Sequence, residues 1–497
     1  MINLKKNLLL VYFLYLKYSV LFYNSIMNFI RNIYTTIKNS YHTGFHPKAT
    51  IALPLPPINV NCIYSNYVKG NKIQKIQLKT NNSYKTTTVI EKIFKTALFL
   101  KKYERNVVYR PTSHNSSMIS ALGSCRKLEG KNIDKIMYEI RDMLDIRGRF
   151  INLEENRLNI LSIIEKQDMD EDQRTILKRV MDGVFSNYAD SIYIANDYLM
   201  VEDEEKEYII VANYPNGAEQ REIERARIIA TGLLYGQYPI ILDKDVNFEG
   251  EANIKFLPYI FSDNCGKYHQ LALSYDSSRS ESKTIDSINI FLDKLGIPLI
   301  RGINILPKEK YKKIFYHQDC ILNFSCNDQI KEVYINKPIE SITTDDIIKT
   351  YDKNGTIIIA KYGIKYSSYE ILSQLFKNII VVNEDEDILG ANMIVTNNLV
   401  VGSSNINKET REKIVSVNKN FLGYIHPSSG GGGAHKCCSN TGGKGKLRPI
   451  SIEEWLEFVD KLNMDVSEHL IISIKDEIER LSRIIRKDSM GVPGSYF

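Results

Sequence analysis

"SIYIANDYLMVEDEEKEYIIVANY" (191–214) sets the fold class. An apolar, β-branched run reaches Asn196 and Asp197, and a second such run follows. That pattern predicts strand, Asn-containing turn, strand. "ANMIVTNNLVVGSS" (391–404) repeats it far downstream, which predicts an internal repeat with a short hairpin in each unit.

Working outward, further strand-like runs are "PIILD" (239–243), "TIIIA" (356–360) and "NIIVV" (378–382). Residues 132–146, 219–236, 283–296, 367–377 and 407–418 carry apolar side chains at helical spacing. Asn132 and Ser367 are expected N-caps, and Gly296 a helix stop before Pro298. Strands alternating with helices over the body of the chain predict an α/β fold.

The composition, 43% apolar and 25% charged over 497 residues, is that of a globular chain with a sizeable core. The net charge of +6 divides unevenly. Residues 1–90 hold ten Lys, one Arg and no acid, so the remainder carries 54 basic against 59 acidic side chains. A mildly acidic body gives no basic surface for nucleic acid. The apolar run Leu8–Ile30, broken by Lys17, Asn24 and Ser25, precedes an acid-free stretch. Residues 1–90 therefore read as a leader that would target an organelle of mitochondrial or plastid type. The alternatives are a membrane anchor, so that membrane contact requires this segment to be retained, or plain structure in a cytoplasmic chain.

The seven cysteines (62, 125, 265, 320, 326, 437 and 438) show neither CxxC nor a disulfide framework. The eight histidines form no HExxH, so no metal and no cofactor is expected. "HPSSGGGGAHKCCSN" (426–440) sets Cys437 and Cys438 behind Gly430–Gly433. Glycines let backbone approach a ligand closely, and a thiolate is a strong nucleophile. The stretch reads either as a reactive loop or as a linker with two incidental thiols. "GGKGK" (442–446) fails as a phosphate loop, because neither lysine precedes Ser or Thr. Residues 441–497 read as a helical extension with the single Trp455, either a solvated surface helix or a contact in a homo-oligomer.

Three stretches carry acid–base chemistry. "YHQDC" (316–320) puts His317 and Asp319 two apart in an apolar run; on a strand both would face one side. "FEGEANI" (248–254) holds Glu249 beside Gly250, and Asp197 sits at a turn. Taken singly, the first pair also reads as a buried structural hydrogen bond and Asp197 as a turn former.

In order, these pieces resemble the guanidino-group-modifying enzymes, namely arginine deiminases, dimethylargininases and amidinotransferases. "DSIYIANDYLMV" (190–201) is similar to the family's Ala-Asn strand pair, and the resemblance implies a guanidinium-binding role for Asp197. "EQREIE" (219–224) resembles an Arg-x-x-Glu element with Arg221 and Glu224, "FEGEANI" the Glu-Gly element at Glu249, and "FYHQDCIL" (315–322) the His-x-Asp element. "DILGANMIVTNNLVV" (387–401) resembles the last Ala-Asn pair, and "GGGAHKCCS" (431–439) the terminal cysteine, with Cys437 as the nucleophile and Cys438 behind it. The chain departs where the family's Gly-Asp is Ala252-Asn253, and where it runs on beyond Cys437.

The resemblance implies a five-bladed α/β propeller of ββαβ repeats over residues 91–440, between the leader 1–90 and the extension 441–497. It implies a small guanidino substrate held by Asp197, Asp319 and Glu249, with Arg221 or Arg225 at the substrate's tail. Cys437 would attack the guanidinium carbon, His317 would move the protons, and His435 would shape the loop. Water would then release a ureido product such as citrulline. The alternatives are an amidinotransferase, in which an amine replaces water, and a non-catalytic binding module.

Overall fold

The computed structural model describes residues 50–54, 107–110, 439–441, 448–489 and 193–424, the last without 204, 215–223, 278–282, 313–314, 327–329, 387–389, 404 and 418. The fold is mixed α/β. Strands β1 (Thr50–Pro54) and β2 (Val107–Arg110) come first. Then follow β3 (Tyr198–Glu202), β4 (Glu207–Val211), helix α1 (Arg225–Leu234) and β5 (Gln237–Ile240). The next unit is β6 (Ile254–Ser262), β7 (Tyr268–Tyr275), α2 (Lys283–Leu295) and β8 (Leu299–Ile305). After it come β9 (Leu322–Ser325), β10 (Lys331–Tyr334), α3 (Thr344–Thr350), β11 (Asn354–Ile359), α4 (Tyr366–Leu375) and β12 (Phe376–Val381). The chain continues with β13 (Ile394–Val395), β14 (Leu399–Ser403), α5 (Lys408–Ser416), β15 (Asn420–Tyr424) and β16 (Ser439–Thr441). Helices α6 (Ile452–Leu462) and α7 (Glu468–Ser489) complete it.

The strands form five small sheets among the described residues, in the orders β3-β4-β5, β10-β6-β7-β8, β12-β11-β9, β13-β14-β15 and β16-β1-β2. One rule runs through all five, with β10 added to the second sheet parallel to β6. An antiparallel pair is followed by a strand parallel to its second member: β3/β4 then β5, β6/β7 then β8, β9/β11 then β12, β13/β14 then β15. A parallel neighbour requires a crossover, and α1, α2, α4 and α5 supply it in these four units. The fifth sheet joins chain ends: β16 pairs antiparallel with β1, Thr50 opposite Thr441, and β1 is parallel to β2. Residues 50–54 belong to the segment set apart in the sequence as a leader, and their backbone pairing builds them into the fold.

Local chemistry places the turns. The first hairpin turns at Asp203, not at Asn196–Asp197 as the sequence predicts. The Asp203 carboxylate accepts the N–H groups of Glu205 and Lys206, both at 2.7 Å, whereas Asn196 closes a 3-10 turn ahead of β3. Helix α2 stops at Gly296, where φ is +69°, as expected. The cap of α4 is Lys365 rather than Ser367, because Tyr366 is already helical. Helices α3 and α5 carry caps unread in the sequence: a Thr343–Asp346 capping box, and Asn407 accepting from Thr410 N at 2.7 Å.

The extension packs inward. Ser451 caps α6, and Ile452, Trp455, Val459 and Leu462 make one buried stripe. Trp455 Nε1 donates to Pro239 O at 3.0 Å, and Phe458 lies 4.9 Å from the Tyr238 ring. Helix α7 packs on α1, which explains why α1 is buried from Arg225 to Leu233 despite two arginines. Among the described residues no helix is long and apolar enough to cross a membrane; Leu8–Ile30 and the stretch 132–146 lie outside them.

Candidate active site

Three successive antiparallel strand pairs, β3/β4, β6/β7 and β9/β11, are each preceded by a 3-10 turn: Ile194–Asn196 before β3, Gly250–Ala252 before β6 and Gln318–Cys320 before β9. Asn196 ends the first turn, while Glu249 and His317 are the residues leading into the second and third. The repeat thus delivers one side chain from each unit to a common place. Asn196 Nδ2 donates to Glu249 Oε2 at 2.8 Å. His317 Nε2 lies 2.9 Å from the same oxygen, an ion-pair contact in which the ring N–H is not aimed along a hydrogen-bond line. Glu249 and His317 are fully buried, and Asn196 nearly so.

Gly250 makes this meeting possible. Its φ is +57°, and a Cβ there would stand 2.7 Å from both Ala195 O and Tyr198 O. Only glycine tolerates that conformation and that approach of the second turn to the first.

His317 and Asp319 do not share a strand face, as their spacing predicts. His317 is extended, with φ −131° and ψ 155°, and Asp319 lies in the 3-10 turn that follows. The turn still keeps them together: ligand atoms of His317, Asp319 and Cys320 lie within 4.8 Å of one another. The Asp319 carbonyl accepts Asn323 Nδ2 and Asn392 Nδ2, both at 2.9 Å, so the fourth unit also clamps the turn. Cys320, unread in the sequence, has its Sγ 3.7 Å from Asp319 Oδ1. This buried set of His, carboxylate and thiol has the donor chemistry to hold a soft divalent metal. The thiol donating to a carboxylate has the opposite environment from the cationic one that creates a thiolate.

Asp197 is engaged elsewhere. Its Oδ2 accepts Arg227 Nη1 at 2.9 Å, and its Oδ1 accepts Tyr214 OH at 3.1 Å. Arg227 also reaches Glu224 at 3.2 Å, and all three charged groups are buried. Burial alone would pull the Arg227 guanidinium down, but Asp197 and Glu224 outweigh it and hold its pKa above the ordinary value. Asp197 therefore meets an internal guanidinium, and its neighbour Asn196 is the residue that meets Glu249. The dipeptide Ala-Asn occurs at 195–196, 252–253 and 391–392 just ahead of β3, β6 and β13, and a fourth time at 212–213 after β4. Arg225 lines a cavity of about 300 Å³ with Lys244, Asp465 and Ser467, on the side of the extension.

Arg221, Gly430–Gly433, His435, Cys437 and Cys438 lie outside the described residues. Strand β16, which starts at Ser439, comes within 8 Å (Cα–Cα) of the turn Ile194–Asn196.

No family model matches the chain, and no curated protein matches it. Among solved structures it is similar to guanidino-modifying enzymes. One is the substrate-bound N-terminal domain of ArgZ, an arginine dihydrolase of the ornithine–ammonia cycle in cyanobacteria. The identity is 16%, the TM-score 0.35, and the match covers 53% of this chain and 78% of that one. A second is AgrE, as a mutant with L-arginine, at 15% identity and TM-score 0.35 over 53% of this chain and 32% of that one. A third is DDAH from Pseudomonas aeruginosa complexed with citrulline, at 16% identity and TM-score 0.32 over 50% and 77%.

Proposed function

We propose that this chain is a cysteine-dependent hydrolase of a guanidino group, in arginine or a related derivative, on a five-bladed α/β propeller. The observation that carries the reading is the meeting of Asn196, Glu249 and His317, one from each of three successive units, on a single carboxylate oxygen. The five-sheet rule and the pairing of β16 with β1 support a ring of five blades. In the sequence Cys437 lies two residues before Ser439, where β16 begins. The turn bearing Asn196 lies beside the same strand.

A guanidinium is flat, cationic and a poor electrophile at carbon. Glu249 and Asp319 accept its N–H fork and hold the carbon in line. The Cys437 sulfur attacks that carbon, and His317 protonates the departing amine. This leaves an amidino-thioether, which water converts to a ureido product while His317 accepts the water's proton. Asp197, satisfied by Arg227, serves in this reading to set the turn that bears Asn196 rather than to touch substrate.

Incubation of the purified chain with arginine, methylated arginines and agmatine tests the reading. Ureido product with water alone supports hydrolysis. Product only after an amine is added would make the chain an amidinotransferase, and silence with every compound would make it a binding module.

A further inference from the structure

Three buried primary amides belong to the turns that bring Glu249 and His317 together, and part of each lacks a protein partner. Gln318 is fully buried, and neither its Nε2 nor its Oε1 makes a hydrogen bond. Asn253, also fully buried, uses Oδ1 to accept Gln318 N at 3.3 Å and leaves Nδ2 open. Asn196 uses Nδ2 on Glu249 and leaves Oδ1 open. These orientations are fixed: turning Asn253 over would aim an NH₂ at the Gln318 N–H, and turning Asn196 over would aim an oxygen at a carboxylate. For Gln318 both ends are open, so its orientation does not matter.

Each open atom costs roughly 1–3 kcal/mol if left unpaired in a protein interior. A bound guanidinium cannot satisfy the set. It only donates, so it can serve Asn196 Oδ1 and Gln318 Oε1 but never Asn253 Nδ2 or Gln318 Nε2. The group that fits both kinds of atom at once is water, which needs two to four polar partners. Position supports the same answer. Gln318 opens the third turn as Gly250 opens the second, and Gly250 lies against the turn before it. The backbone N–H of Gln318 is hydrogen-bonded to Asn253, the residue that follows the second turn. Its chain neighbour is His317.

We propose that Asn253 and Gln318 form the water-holding subsite of this enzyme and supply the water that breaks down the amidino-thioether. The inference rests on the hydrolase reading above. In the step, the water oxygen bonds to the amidino carbon and its proton passes to His317 Nε2. The C–S bond then breaks, sulfur leaves as thiolate, and the ureido product is released. Asn253 and Gln318 are positioning residues, acting on the second half of the reaction and not on the first.

The test separates the halves. Gln318→Leu removes both amide atoms at similar volume. Asn253→Asp keeps the acceptor for Gln318 N–H but replaces the donor, and serves if the leucine variant does not fold. Rapid quench and mass spectrometry give the rates of adduct formation and decay, and hydroxylamine added as a competing nucleophile gives the partition between ureido and hydroxyguanidino product. The expected result is adduct formation within about twofold of wild type, decay slowed about tenfold or more, and partition shifted by a similar factor toward hydroxylamine, as the loss of one or two hydrogen bonds implies. Equal decay and equal partition in both variants would overturn the subsite while leaving the hydrolase reading intact. No adduct and no product in the wild type would overturn both.

Discussion

Asn196 Nδ2 and Glu249 Oε2 lie 2.8 Å apart, across 53 residues of sequence, and His317 reaches the same oxygen at 2.9 Å. A neutral amide here holds a carboxylate by its side chain while the imidazole approaches from another unit. Asn196→Ala removes a hydrogen bond to a charged group, worth about 1.5–3 kcal/mol. Catalysis should fall by about 10- to 100-fold in kcat/KM, with the urea midpoint changing far less than for a core truncation. Unchanged turnover would place Asn196 outside the working site.

Gly250 connects the first two turns. Gly250→Ala forces a side chain into φ +57° and against two backbone oxygens. The left-handed conformation alone costs about 1–2 kcal/mol, and the collision adds to it. A lowered melting temperature together with lost activity is expected, because the turn must move away and take Glu249 with it.

Arg227 holds Asp197 and Glu224 in a dry environment. Arg227→Met leaves two buried carboxylates without their cation, a loss of about 3–5 kcal/mol. Arg227→Lys keeps the charge but not the fork, and should lose less. Urea titrations of both variants rank them, and a methionine variant as stable as wild type would refute the ion-pair account.

Much of this architecture was legible in advance, and the misreadings have physical causes. β11, β12 and β14 are β-branched runs between turn residues, so periodicity found them. β6 and β7 escaped because the aromatic run 254–262 and the mixed run 268–275 lack clean alternation: both faces of these strands are largely buried. The sequence draws attention to Asp197 because a charge looks more chemical than an amide, while Asn196 is the one of the two that meets Glu249. Only the fold shows that a buried arginine from α1 already occupies that charge. The i, i+2 argument placed His317 and Asp319 correctly as neighbours but on the wrong element, since a 3-10 turn is invisible to a period-of-two test. The helical extension is legible in the sequence, but its packing partner, the Pro239 carbonyl and the face of β5, is not.

Acid should loosen the hairpin between β6 and β7. His269 Nε2 lies 3.1 Å from Asp263 Oδ2. Burial pulls His269 below its ordinary pKa, only partly offset by Asp263. The unfolded chain therefore binds a proton at this site before the folded chain does, and stability falls as pH drops below about 6.5. Asp263 acts in the same direction: burial pushes its pKa up, but His269 and the N–H groups of Lys267 and Cys265 outweigh that and hold it below the usual carboxylate value. Its contribution is lost at still lower pH. Urea midpoints from pH 8 to 5 should decline for the wild type and decline less for His269→Phe. Parallel curves would count against this pair as the cause.

The most direct test of the central claim is peptide mapping of the chain quenched in acid during turnover of a guanidino substrate. The account predicts an amidino adduct on the peptide containing Cys437 and its absence in Cys437→Ser. Turnover with the adduct on Cys320, or turnover that persists in Cys437→Ser, would contradict it.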